Sequence, residues 1–135
     1  RDRLLVRVAA ASEAELRSGT DLDWGLGQIA VHVLLIERGV ALIALRLAKG
    51  EPPGRTGQPR PAAAEVTRAG ITTLAEKAAG ALRQLRAEFP AEHDAAATAR
   101  HPYYGDLNAF GWLLTLGNHY TAHLEALERG TRSAL

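Results

Sequence analysis

Residues 24–49 form a run that is apolar nearly all round, free of proline and long enough for about seven helical turns. Few folds accept such a segment, because a helix without a polar face must lie at the centre of a bundle or in a membrane. Its most apolar part, residues 29–48, is interrupted by His32, Glu37, Arg38 and Arg46, so about 18 uninterrupted apolar residues are never reached. No membrane partner is therefore expected. The run predicts a central bundle helix, opened by an Asp23 N-cap and stopped by Lys49-Gly50 and Pro52-Pro53.

Three further helices, and no strand, are read around it. Residues 2–16 carry Leu4, Leu5, Val8, Ser12 and Glu15 at the 3.6-residue drift of an amphipathic helix, ended by Ser18-Gly19-Thr20. Residues 62–89 place Val66, Gly70, Leu74, Ala78, Ala81, Leu85 and Phe89 on one stripe, and Pro90 ends it. The last helix starts at residues 106–108 and runs to Glu128, closed by Arg129-Gly130. Residues 50–61, with four of the six prolines and three glycines, read as a connector without phosphate-cradling spacing, and residues 91–105 as a mixed segment. The expected fold is all-α, an antiparallel four-helix bundle forming a single domain over residues 1–135. The chain opens directly on a helical pattern without an initiator Met, so the first turn or two is expected to be missing from it.

Charge and residue usage narrow the function. Sixteen basic and 15 acidic residues are spread along the chain for a net charge of +1, with no basic stripe, so nucleic acid is not an expected partner. The absence of cysteine excludes disulfides, thiolate nucleophiles and cysteine zinc sites, and leaves histidine as the metal ligand of choice. No signal-peptide pattern opens the chain, and a cytoplasmic location is expected.

Chemistry concentrates in histidine. His119 and His123 stand four residues apart on the last helix, hence on one face, sharing a stripe with Trp112, Leu116 and Ala126; Phe110, Leu113, Leu114, Gly117 and Leu124 make a second apolar stripe. His32 lies inside the apolar central helix, on a face with Gln28, Leu35, Ile36 and Gly39. Buried imidazoles need hydrogen-bond partners or a metal, so two readings stand: three separately satisfied core residues, or one divalent-metal site. Tyr120, not Glu, follows His119, which argues against a zincin protease. Gln28 is read as a hydrogen-bond partner of a ligand histidine or of a coordinated water, or as a polar edge, with Tyr103, Tyr104 and Tyr120 as further helpers. Glu37 reads as the partner of a basic neighbour, His93 as surface, and His101 as a loop-packing residue.

These residues resemble the DinB/YfiT-like superfamily of small four-helix metalloproteins. The resemblance rests on the Trp-led segment Trp24-Gly-Leu-Gly-Gln-Ile-Ala-Val-His32, on His101-Pro-Tyr-Tyr-Gly105 leading to Trp112, and on His119-Tyr-Thr-Ala-His123. It departs from the common pattern at Gly111, where an acidic residue often precedes the Trp, and after His123, where a Gln frequently follows. The resemblance implies a nickel, zinc or iron ion on His32, His119 and His123, a homodimer, and in some relatives transferase or isomerase chemistry using an external low-molecular-weight thiol such as mycothiol or bacillithiol. The function expected is that of a divalent-metal-dependent enzyme, a thiol-dependent transferase or a hydrolase acting on a small-molecule substrate. The alternative is a non-catalytic metal-binding or stress-related dimeric bundle.

Overall fold

The computed structural model describes residues 1–55 and 57–133. Its helices are α1 (Asp2–Ala10), α2 (Glu13–Leu16), α3 (Leu26–Ala48), α4 (Arg68–Glu88) and α5 (Ala109–Ser133), with a 3-10 turn at Ala63–Glu65 and strands β1 (Ala99–His101) and β2 (Gly105–Leu107) before α5. The helices α1, α3, α4 and α5 make the four-helix bundle, with α3 at its centre.

Two buried clusters fix the helix directions. At one end Ile29, Val33 and Leu34 of α3 pack with Leu4 and Val8 of α1, Ile71 of α4 and Leu124 of α5. At the other, Val40, Ile43, Ala44 and Leu47 pack with Leu85 of α4 and Trp112 of α5. The chain therefore runs antiparallel between α3 and α5, and α3 and α4 run the same way. Lys49 and Glu88, at the C-terminal ends of α3 and α4, accordingly meet at 2.9 Å. The proline-rich connector makes this possible by carrying the chain back along the bundle, past His32.

By length and composition α3 is apolar enough to cross a membrane, with mean hydropathy 1.8 over its best 18-residue window, but 67% of that window is already buried within the bundle. Its apolar surface is spent on α1, α4 and α5, as a central bundle helix requires.

The expected boundaries shift where side chains cap more strongly than periodicity suggests. The first helix breaks at Ala11, because Ser12 and Glu15 form a reciprocal capping box that starts the short α2. The third begins at Arg68, since Val66 is buried in extended conformation and Thr67 Oγ1 accepts the Gly70 N–H at 2.9 Å. The central helix opens at Gly25 rather than Asp23, because the Gln28 side chain accepts the Gly25 N–H at 3.0 Å. The segment expected to lack strands contains a hairpin, in which Ala99 pairs with Leu107 and His101 with Gly105. Three-residue strands are too short to show alternation. Gly105, at φ 77°, supplies the left-handed residue the turn needs, and the Trp112 indole N–H ties β1 to α5 through the Ala99 carbonyl at 3.2 Å.

A candidate metal centre

Each histidine of the candidate site is held by the element that carries it. On α3, the Nδ1 of His32 meets the Pro59 carbonyl at 2.7 Å. A carbonyl only accepts, so Nδ1 carries the ring proton and Nε2 keeps its lone pair. Gln28 holds that carbonyl in place indirectly. Its Nε2 donates to Thr20 O at 3.0 Å and Pro61 O at 3.1 Å, anchoring the connector beside His32. Gln28 is fully buried and spends its whole amide on backbone. It bonds no histidine directly, and orients His32 through residues 59–61 instead.

On α5, His119 and His123 share one face as their spacing requires, with ring centroids 4.6 Å apart, and both turn toward His32 at centroid distances of 5.0 and 5.1 Å. The Nε2 atoms of His32 and His119 approach to 3.1 Å, and one ligating nitrogen from each of the three rings lies within 4.8 Å of the others. Nitrogens bound at about 2.1 Å to one ion stand about 3.0 Å apart at right angles and about 3.4 Å apart in a tetrahedron. The His32–His119 spacing falls between these values, and the donor set is of the kind borderline divalent metals take.

Protonation favours the same use. Burial, reinforced by His123, His32 and His101, pushes His119 down to about 4. Burial lowers His32 too, against the opposing Pro59 hydrogen bond, and lowers His123 with help from His32. All three are neutral at pH 7, the form in which imidazole binds metal. The buried His119 Nδ1 has no hydrogen-bond partner among the described residues. Trp24 packs on His32 at 5.0 Å and carries the Arg60 guanidinium at 5.3 Å over its outer face.

The triad opens on a cavity of about 340 Å³ lined also by Ile36, Gln58, His101, Tyr103, Tyr104 and Asn118. His101, at the end of β1, packs on Trp112 at 4.9 Å and on Tyr104 at 4.8 Å, and its Nδ1 accepts the Tyr103 N–H at 3.1 Å. It is thus both a packing residue and part of the cavity wall, a role that only the hairpin creates. Tyr120, adjacent in sequence to His119, turns elsewhere: its hydroxyl lies beside Glu37, and burial next to that carboxyl raises its pKa strongly. It does not support the histidines. Glu37 pairs with Arg1 at 3.5 Å, a basic neighbour as expected. His93 is not simple surface but packs between Phe89 and Phe110, at 5.5 and 4.8 Å. The second stripe of α5 is only partly covered, with Phe110 46% and Leu114 77% exposed.

The sequence pattern of the DinB superfamily matches residues 1–127, and the chain belongs to that superfamily. Among solved structures it is similar to the crystal structure of TT2238, a four-helix bundle protein, with 26% sequence identity, a TM-score of 0.70, and coverage of 96% of this chain and 90% of that one. No curated protein matches it.

Proposed function

We propose that this DinB-superfamily chain holds one divalent metal ion on His32, His119 and His123 and uses it on a small molecule received in the adjoining cavity. The observation that carries the reading is the convergence of three neutral imidazoles, two of them 3.1 Å apart through Nε2, on the wall of a cavity of about 340 Å³. An ion held by three neutral ligands would keep its full charge, and so would supply Lewis acidity and make a coordinated water or thiol more acidic. The chain's own residues would do the rest. The Pro59 carbonyl keeps the His32 proton on Nδ1 and so leaves its Nε2 free to ligate, while Trp24 and Ile36 give the cavity an apolar part of its wall. Tyr103, Tyr104 and Asn118 offer hydrogen-bonding groups to the incoming molecule.

Hydrolysis and transfer from a thiol both suit this arrangement. Because the chain has no cysteine, a thiol nucleophile would have to come from outside. The room beside the triad favours an enzyme over a bundle that only stores metal. Elemental analysis of protein purified from metal-replete medium tests the reading. One equivalent, lost in His32→Ala and His123→Ala, is expected; substoichiometric metal indifferent to both substitutions contradicts it. Turnover of electrophilic acceptors with and without added small thiols then separates transferase from hydrolase, and a metal-loaded protein inert in both assays favours the non-catalytic bundle.

A further inference from the structure

Two histidines in the wall of the cavity beside the triad are held in opposite senses. His32 donates from Nδ1 to the Pro59 carbonyl and so presents a lone pair at Nε2. His101 does the reverse. Its Nδ1 accepts the backbone N–H groups of Tyr103, at 3.1 Å, and of Tyr104, at 3.4 Å, in the turn between β1 and β2. A backbone N–H only donates, so Nδ1 keeps its lone pair and the neutral ring carries its proton on Nε2. Burial lowers the His101 pKa, which favours that neutral form at pH 7. Trp112 and Tyr104 pack on the ring, at 4.9 and 4.8 Å between centroids, and fix its place in the wall.

The sense of this lock decides what His101 can do. A histidine that serves as a base or a metal ligand needs a nitrogen lone pair facing its partner, and the lone pair of His101 is spent on the hairpin. Among the described residues it accordingly stands outside the group of nitrogens that could hold an ion, which His32, His119 and His123 form. What remains is its Nε2–H, for which the described residues supply no acceptor. No Asp or Glu among them lines the cavity to claim that proton. The ring is nevertheless close enough to the triad for its charge to act on His119. We propose that His101 donates a hydrogen bond from Nε2 to an oxygen of the molecule bound at the triad, and so selects substrates that bring a carbonyl or carboxylate oxygen there. This rests on the metal reading above, and it adds a substrate-binding residue and the chemistry that it recognises.

Cobalt-loaded protein tests this with two metal ligands that differ in one respect. Acetate can hold the ion with one oxygen and accept from His101 with the other, whereas ethanethiol binds through sulfur and brings no oxygen. The visible absorption of the cobalt follows both titrations. His101→Phe keeps a ring against Trp112 and Tyr104 and removes both nitrogens, and the N–H groups of the exposed Tyr103 and Tyr104 pass to water. It is expected to keep one equivalent of cobalt, to bind acetate at least about tenfold more weakly, and to bind ethanethiol within about twofold of the parent. His101→Gln, whose amide places an N–H near the position of Nε2–H, should recover acetate affinity to within about threefold of the parent. In the zinc-loaded parent, where neither variant need fold, nitrogen-15 spectra of the imidazoles should show His101 protonated at Nε2, with that proton shifted by acetate. Equal weakening of both ligands, acetate affinity indifferent to the substitutions, a glutamine no better than phenylalanine, or a proton on Nδ1 overturns the proposal and leaves the metal reading standing. Protein that takes up no cobalt overturns both.

Discussion

Two polar clusters are buried along the contact of α3 with α5, little more than a turn apart, and they are built on opposite principles. In one, the Glu37 carboxyl faces the Arg1 guanidinium at 3.5 Å, Arg1 also donates to the Ala75 carbonyl at 2.8 Å, and the Tyr120 hydroxyl stands alongside. In the other, three imidazoles face one another with no carboxylate among them. The first cluster answers a buried charge with its opposite and ties the N-terminal end of α1 to the bundle. The second assembles like groups whose protonated forms repel and whose neutral forms leave one buried nitrogen, His119 Nδ1, without a hydrogen-bond partner among the described residues. In the first cluster the compensation is of charge rather than of hydrogen bonds, since Arg1 Nε and Glu37 Oε2 have no hydrogen-bond partner among the described residues; in the second no opposite charge is present, and three ligand-type nitrogens face one another. Neighbouring residues, His119 and Tyr120, fall on the two sides of this divide.

Substitutions separate the two clusters. The largest effect is expected from His32→Ala, which should weaken metal binding by more than about 100-fold while moving the melting temperature of the metal-free protein by only a few degrees; chelator-competition titration and calorimetry measure the two. Arg1→Leu should do the reverse. It leaves Glu37 buried without its counter-charge, at a cost of about 3 kcal/mol in urea unfolding, with metal affinity unchanged. Parallel losses in both variants would erase the distinction.

Acid provides a third, smaller contrast. His119 sits at about 4 in the folded chain against 6.5 when unfolded, and His32 and His123 are lowered with it. Below pH 6.5 the unfolded chain takes up protons that the folded chain refuses. The stability of the metal-free protein is therefore whole above pH 6.5 and falls as pH drops toward about 4. Glu37 has the opposite sign. Its pKa is raised, chiefly by burial, so its contribution is present below 4.5 and declines as pH rises through its folded value. Unfolding midpoints across this range should slope less in His119→Phe than in the parent chain. The smallest effect belongs to Glu37→Gln, which keeps the shape and removes the buried charge while Arg1, with 28% of its side chain exposed, stays in reach of water, and should leave stability within about 1 kcal/mol of the parent at pH 7.

What sequence reveals and what it hides follow the same divide. The all-round apolar pattern of α3 and the one-turn spacing of His119 and His123 are local, and both lead directly to the bundle and to the facing imidazoles. Capping is local too, yet Ser12, Thr67 and Gln28 move helix starts because a single side-chain hydrogen bond outweighs several residues of periodicity. The role of Gln28 is illegible for another reason: it depends on the connector folding back to bring Pro59 and Pro61 beside α3. The Arg1–Glu37 pair and the place of His101 in the cavity wall likewise need contacts far apart in sequence. The turn His101-Pro-Tyr-Tyr-Gly105 does carry a signal, a glycine where the chain must turn left-handed, but strands of three residues give no alternation to accompany it.

The central claim is that the uncompensated triad is built to receive a metal ion. Anomalous diffraction from crystals of the protein loaded with zinc or nickel tests it most directly. The account predicts one strong peak about 2.1 Å from nitrogens of His32, His119 and His123, absent in crystals of His119→Ala. Density without a peak at the triad, or a peak held by other residues with His32 and His119 left bonded to each other, would contradict it.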